Sequence, residues 1–341
     1  MHKVVVAVVL ALVVAAAGAT FAGVAVWGRL HDSYAAYAGT EQFVVIEPGT
    51  GTAAIRRTLV DAGIIRDALA FRAALWWTGR ALELQAGEYR FDRPLAAVDV
   101  VERMASGDVY RRRITFPEGL TIQEMAQVFE SRGFGAAADF AEAAANPSLI
   151  QALDPEAVDL EGYLFPETYA LPRATAASRL VAMMVERFLA TYVDEWRIAA
   201  EEQGLTMRQV VTLASLVEEE TGAPEERPIV AGVYRNRLRI GMRLQADPTV
   251  VHALRQAGTY TGNIRRVDLA LDSPYNTYRY AGLPPGPIAA PGAASLEAAL
   301  MPAQVDYLYF VSRNDGTHAF ARTLAEHNRN VREFQILYFR R

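Results

Sequence analysis

The hydrophobic pattern divides the chain sharply. Val4 to Gly28 is an uninterrupted uncharged run. As a helix it would extend roughly 37 Å, more than the ~30 Å hydrocarbon core of a bilayer. The apolar core of a cleavable leader is usually only ~7–15 residues. The run therefore predicts a retained membrane anchor, while Ala15-Ala16-Ala17 and Gly18-Ala19 keep a cleavage site open as the alternative. Lys3 precedes the run and Arg29 follows it. With one span and a large following region, the expected topology is N-terminus inside and body exported.

Beyond a polar, alanine-rich connector (29–41) the pattern becomes short and mixed. Residues 43–46 and 87–91 read as strands, and 52–62, 68–79 and 96–106 as helices. Together they make a small α+β module. Arg111 to Phe116 opens the next unit as a strand, its three arginines read as an exposed edge. Thr121 and Glu124 form a capping box that starts a helix to Ser131. Helical patterns then dominate: 136–145, 174–203, 207–221 and 225–238. Tyr307 to Ser312 reads as a strand, 316–320 as a turn into another, and Leu324 to Tyr338 as a last amphipathic helix. The predicted class is α+β: a transmembrane helix, a small mixed module and a mostly helical domain with short strands.

Composition excludes several functions. The chain has no cysteine among 341 residues, so disulfides, thiolate metal sites and a cysteine nucleophile are out. A net charge of -5 without a basic stripe argues against nucleic acid. His252, His318 and His327 lack metal-ligand spacing, and no cofactor motif is present. Ser215 lacks the context of a nucleophile elbow.

The chemistry concentrates in Ala-Ser-Leu-Val-Glu-Glu-Glu-Thr-Gly, residues 214–222. Thr206 and Gln209 form a second capping box, so this helix starts near Met207; Gly222 and Pro224 end it. At 100° per residue, Met207, Val210, Val211, Ala214 and Val217 share the inner face, and Glu218 continues it. Glu219 points away, as a solvated charge. Glu220 is intermediate and could pair with an arginine. A carboxylate on the buried stripe is costly unless neutral or paired. It is either a general acid or half of a core ion pair, with Arg235 or Arg237 as partner. Two further segments offer hydroxyls, amides and aromatic faces suited to sugar: Glu161 to Tyr169 (EGYLFPETY), and the Tyr275-Asn276-Thr277-Tyr278 and Gly282 to Gly286 loop. Asp247-Pro248-Thr249 could be a plain helix start with Asp247 as N-cap.

These segments carry a resemblance. LASLVEEET (213–221), NRLRIGMRLQADPTV (236–250), YNTY (275–278), GLPPGPIAAPG (282–292), EGYLFPETY (161–169), FPEGLT (116–121) and HAF…HN (318–328) resemble the YceG-like family of endolytic murein transglycosylases, in order and along essentially the whole chain. The resemblance implies a single-pass anchor (4–28) in the inner membrane with a short cytoplasmic tail (1–3) and a linker (29–41). It implies a LysM-like module (42–110) and a periplasmic catalytic domain (111–341) that cuts nascent peptidoglycan strands internally. It assigns the catalytic role to Glu218, the first glutamate after LASLV. Contact with peptidoglycan synthases is a further family-level expectation.

A glycosidase normally needs two carboxylates. A lytic transglycosylase works with one, because the attacking hydroxyl belongs to the substrate. Gln245, Asp247, Asn276, Tyr278 and Tyr163 are the residues expected to hold sugar or support Glu218. Two rivals remain at this point: a muramidase-type hydrolase using Glu218 and Asp247, and a non-catalytic wall-binding anchor.

Overall fold

A computed structural model describes residues 2–173 and 175–338. Met1, within the expected cytoplasmic tail, Ala174 and residues 339–341 lie outside the described residues. The chain is a mixed helix–strand protein, about 50% helical. It forms two compact units, residues 1–113 with 170–174, and 114–169 with 175–341.

The first unit begins with α1 (His2–His31). Among the described residues it is the one helix long and apolar enough to cross a membrane, with a mean hydropathy of 2.4 over the qualifying stretch. β1 (Gln42–Ile46) pairs antiparallel with β2 (Gly87–Phe91), Val44 opposite Tyr89. Around this ribbon pack α2 (Thr52–Asp61), α3 (Ala68–Thr78) and α4 (Ala97–Ala105). Their inner faces meet as the sequence periodicity requires: Leu59, Phe71, Tyr89, Val100 and Met104 are essentially inaccessible. Leu30, at the end of α1, belongs to the same cluster. Asp67 caps α3 by accepting from Ala70 N–H at 2.8 Å. Glu88 is buried yet paired, taking both forks of Arg112 at 2.8 Å. The arginine run of β3 (Arg111–Thr115) is thus partly anchored rather than simply displayed.

β4 (Thr168–Pro172) pairs with β3, and both strands have residues in each unit. The second unit contains α5 (Ile122–Ser131), α6 (Ala137–Ala144), α7 (Ala177–Thr191), α8 (Asp194–Glu202), α9 (Met207–Glu220), α10 (Arg227–Arg239), α11 (Asp247–Gln256) and α12 (Ala293–Leu300). The hairpin β5 (Tyr309–Ser312) and β6 (His318–Ala321) follows, and then α13 (Leu324–Val331), which runs on into a turn of π-helix. Glu226 ties this hairpin to the start of α10, accepting from the His318 backbone N–H at 2.8 Å and bonding its ring Nδ1 at 2.6 Å.

Both predicted capping boxes form, at Thr121–Glu124 and at Thr206–Gln209. Two expectations change. The pattern over 174–203 is two helices, broken at Tyr192, whose buried ring stacks on Phe188 as the chain turns. No glycine or proline marks the break. The second change concerns α9, which is not amphipathic in place: every residue from Val210 to Val217 is buried, including Thr212 and Ser215. A helix surrounded on all sides is the centre of its unit, and its glutamates stand where it emerges.

Candidate functional site

The turn after α9 builds the site. Thr221 is extended, Pro224–Glu226 form one tight turn, and α10 starts back at Arg227. This reversal lays Arg227 onto the last turn of α9. Its Nη2 donates to Glu218 Oε1 at 3.1 Å. The Glu218 side chain is 6% exposed and that of Arg227 11%. The other carboxylate oxygen, Oε2, accepts from the backbone N–H of Gly292 at 2.9 Å, where α12 begins. The core ion pair anticipated as an alternative exists, but with Arg227. Arg237 instead donates to the Leu244 and Leu308 carbonyls, and Arg235 to Gln203.

A second carboxyl joins the cluster. Glu118 lies 3.5 Å from the same Arg227 nitrogen and within hydrogen-bonding reach of Glu218. Burial and the charge on Glu218 hold the Glu118 carboxyl above the usual carboxylate range, against the pull of Arg227. Its side chain remains 45% exposed, so the pair has an open side. Glycines make room for it. A Cβ on Gly292 would lie 1.7 Å from Glu118 Oε1, and one on Gly119, at φ +79°, 2.7 Å from Glu219 Oε1. Arg227 Nε is buried without a hydrogen-bond partner. One guanidinium thus serves two carboxyls, an arrangement that can shed and regain a proton.

The remaining glutamates differ from this and from each other. Glu219 is exposed as a residue, as its position on the helix predicted, but burial of its carboxyl against neighbouring groups still pushes it up to about 7. Glu220 is not solvated: its Oε1 accepts from the Tyr234 hydroxyl at 2.7 Å. Burial pushes its carboxyl up to about 7, with nearby Asp247 adding to the rise. The expectation that Glu218 alone turns inward therefore fails, because the neighbouring helix α10 covers the other side of α9 as well.

The residues expected to hold sugar fall into separate settings. Asp247 and Tyr278 form a pair, the hydroxyl donating to Oδ1 at 2.5 Å. Asp247 sits in the first turn of α11, but the N-cap is Ala246. Gln245 is exposed and left-handed at φ +51°. For a residue with a side chain such a backbone costs of order 1–3 kcal/mol and often marks a functional loop. Asn276 is fully buried and spends its amide inside its own loop, donating to the Leu269 and Leu271 carbonyls and accepting from Tyr278 N–H. Tyr163 is 1% exposed, its hydroxyl given to Asp154 at 2.6 Å. Gly162, at φ +82° against Pro287 and Val211, turns that ring into the core. The polar atoms of Asn276 and Tyr163 are thus engaged within the fold, while the Tyr163 side chain also lines a cavity.

Ser215 is likewise structural, donating to Thr212 O and accepting from Ile288 N–H. A cavity of about 410 Å³ lies off the carboxyl cluster, between Glu161, Asp159, Arg208, His252, Arg255 and Tyr275. Among the described residues, no group of three or more His, Asp or Glu is placed to hold a metal ion.

Sequence reasoning missed Glu118, Arg227 and Gly292. Two of them lie inside segments that carried the resemblance, FPEGLT and GLPPGPIAAPG, without a role attached. Glu118 is 100 positions from Glu218, and only folding brings them together.

The sequence pattern of the YceG-like family matches residues 44–333. The endolytic murein transglycosylase of Bacillus subtilis (strain 168) is 32% identical over 300 residues, covering 83% of this chain and 82% of that protein. The endolytic murein transglycosylase of Streptococcus pneumoniae serotype 2 is 30% identical over 322 residues; the match covers 85% of this chain but 58% of that longer protein. A solved structure of a YceG-like protein from Listeria monocytogenes superposes with a TM-score of 0.59 at 32% identity, covering 86% of this chain and 99% of that one.

Proposed function

Because the chain belongs to the YceG-like family, we propose that it is a membrane-anchored lytic transglycosylase whose acid–base residue is Glu218. The general activity, transglycosylation of murein, follows from relatives that carry that name over most of the chain. The single observation that carries the assignment of the site is the Glu118–Arg227–Glu218 cluster.

The chemistry runs as follows. Protonated Glu218 donates to the glycosidic oxygen between N-acetylmuramic acid and N-acetylglucosamine, and the C1–O bond breaks. The muramyl 6-hydroxyl attacks C1. Its proton passes to the Glu218 carboxylate, so the acid is regenerated and the strand ends in 1,6-anhydromuramic acid. Arg227 and Gly292 N–H hold the carboxylate form through two hydrogen bonds. Glu118 stands at the same guanidinium, its own carboxyl held above the usual range by burial and by the charge on Glu218. No second protein carboxylate has to straddle the sugar. Glu118 and Glu218 instead share one guanidinium nitrogen, Arg227 Nη2, at 3.5 and 3.1 Å, and the attacking hydroxyl is the substrate's own. Asp247, the second carboxylate of the hydrolase reading, is engaged by Tyr278.

Gln245, Asp247 and Tyr278 form the loop proposed to meet the glycan, with Asn276 holding that loop's shape. Residues 42–110 act as a LysM-like module, residues 111–341 as the catalytic domain. α1 anchors the chain in the cytoplasmic membrane with the body outside, where it meets nascent strands and the synthases that make them. Cutting within such strands would limit their length.

The test is digestion of uncrosslinked glycan followed by mass spectrometry of the new ends. Anhydro ends from the wild type and none from Glu218→Gln support the assignment. Reducing muramic acid ends make the enzyme a hydrolase. Equal anhydro yield from both proteins would overturn the role of Glu218.

A further inference from the structure

The first unit carries large apolar side chains that nothing in the unit covers. Trp76 is 82% exposed and Leu82 100% exposed. Trp77 and Leu69 are each about half exposed. All four lie on α3 or in the turn that follows it. Exposed apolar groups scattered singly need no explanation, but two neighbouring indoles beside an apolar groove do.

The position of α3 along α1 says what covers them. The last turns of α3, with Ala73, Trp76 and Trp77, share a shallow apolar groove with the 22–30 stretch of α1. Trp77 stands edge-on to Trp27 at 5.6 Å and to His31 at 5.9 Å. Arg29 pairs with Asp67 at the start of α3, and Leu30 is buried in the core of the unit. The top of α1 is thereby joined to the folded module rather than hinged to it.

Depth then follows from length. The uncharged run from Val4 to Gly28 measures roughly 37 Å as a helix, against ~30 Å of hydrocarbon. About 7 Å is left over, some five residues, and it falls at the exported end of the run, in the headgroup layer. Residues 24–28 occupy that layer, and so do Trp76 and Trp77, packed beside Val26 and Trp27. Tryptophan is the residue that favours this zone, where its ring is buried and its N–H stays wet.

We propose that the C-terminal end of α3 and the following turn, through Trp76, Trp77 and Leu82, dock into the outer headgroup layer of the bilayer that α1 crosses. The lipid surface is the occupant because the patch is continuous with the lipid-facing helix and level with its end. This inference rests on the reading of α1 as a membrane anchor. Its consequence is that the module is laid against the membrane instead of swinging free on a tether, which fixes where residues 42–110 can meet newly exported glycan.

The absence of cysteine makes the test clean. Leu82→Cys, Trp76→Cys and, as the anchor control, Leu12→Cys are introduced singly into the full chain, labelled with an environment-sensitive fluorophore and reconstituted into phosphatidylcholine–phosphatidylglycerol vesicles. Quenching is read with a nitroxide lipid and with aqueous iodide. Leu82 tolerates the change because its side chain touches nothing. The expected result is loss of fluorescence to the nitroxide lipid at positions 12, 76 and 82, with iodide ineffective at 82. Quenching by lipid at 12 with iodide quenching at both 76 and 82 would overturn the docking and leave the anchor standing. Iodide quenching at all three would remove the anchor and the docking with it. Protection at 76 and 82 in detergent micelles bearing a second copy, but not in dilute vesicles, would make the patch a dimer contact and also overturn the proposal.

Discussion

Two carboxyl clusters flank the end of α9, two residues apart and on opposite faces of the helix, and they are built differently. At Glu218 one guanidinium is shared between two carboxyls, one of which is partly open to solvent. At Glu220 a tyrosine hydroxyl is the partner, and Tyr234 itself is 1% exposed. The first cluster has a carboxyl raised by burial and by its neighbour's charge, a guanidinium nitrogen without a hydrogen-bond partner, and one side chain partly exposed. The second is closed: its carboxyl is raised by burial and answered by a neutral donor. A shifted carboxyl is therefore a poor guide to function by itself. What sets Glu218 apart is a guanidinium shared with a second, partly exposed carboxyl.

The contrast sets the expected mutants. Glu218→Gln loses the acid and base together, so turnover should fall by roughly 10²–10⁴-fold. Glu220→Gln should leave turnover near wild type and cost stability instead, of order 1–3 kcal/mol for a perturbed buried hydrogen bond. Steady-state assays paired with thermal unfolding measure both. If Glu220→Gln were the inactive one, the roles would be reversed.

Gly292→Ala comes next. The added methyl occupies the place of Glu118 Oε1, so the pair must separate. A misplacement of about 1 Å can cost ~10²-fold in rate, and a crystal structure of the variant would show Glu118 displaced. Unchanged turnover would mean that Glu118 has no part in the reaction.

Glu118→Gln should reduce turnover less, because it removes a neighbour and not the acid. One of the two carboxyls at Arg227 has gone while the acid remains, so measurable turnover should persist where Glu218→Gln has none, as read in the same steady-state assay. Turnover as low as that of Glu218→Gln would show that Glu118 shares the acid–base role.

The last effect is on stability and not on turnover, and concerns the cavity beside α5. Burial pushes the Glu161 carboxyl up to about 8 from its ordinary value of 4.5. Between those limits the folded chain holds a proton that the unfolded chain has released. Stability therefore falls as pH rises through that window, by at most about 1.4 kcal/mol per pH unit for this group. Glu161→Gln should flatten the decline, as read from melting temperatures at pH 5 and pH 8. An unchanged slope would show that Glu161 titrates normally.

Much of the framework was legible in the chain. Val4 to Gly28 announces its helix by length alone, and the capping boxes at Thr121 and Thr206 form as read. Glu218 was found by periodicity that turned out to be incomplete. α9 is buried all round, so the stripe of Val211 and Ala214 does not distinguish Glu218 from Glu220. Cover from another element is a tertiary fact, and no pattern within fourteen residues contains it. The same limit explains Arg227, whose place depends on how the 221–226 turn reverses. It also explains Tyr163 and Asn276: a sugar-binding aromatic or amide and a core one have the same letters. Asp154 and the Leu269 and Leu271 carbonyls decided which these are.

The central claim is that one carboxyl of three at the end of α9 performs the reaction. The most direct measurement is a side-by-side digestion of uncrosslinked glycan by the wild type, Glu218→Gln and Glu220→Gln, with the masses of the new strand ends counted. The predicted result is 1,6-anhydromuramic ends from the wild type and Glu220→Gln, and none from Glu218→Gln. Anhydro ends from Glu218→Gln at the wild-type rate would contradict it.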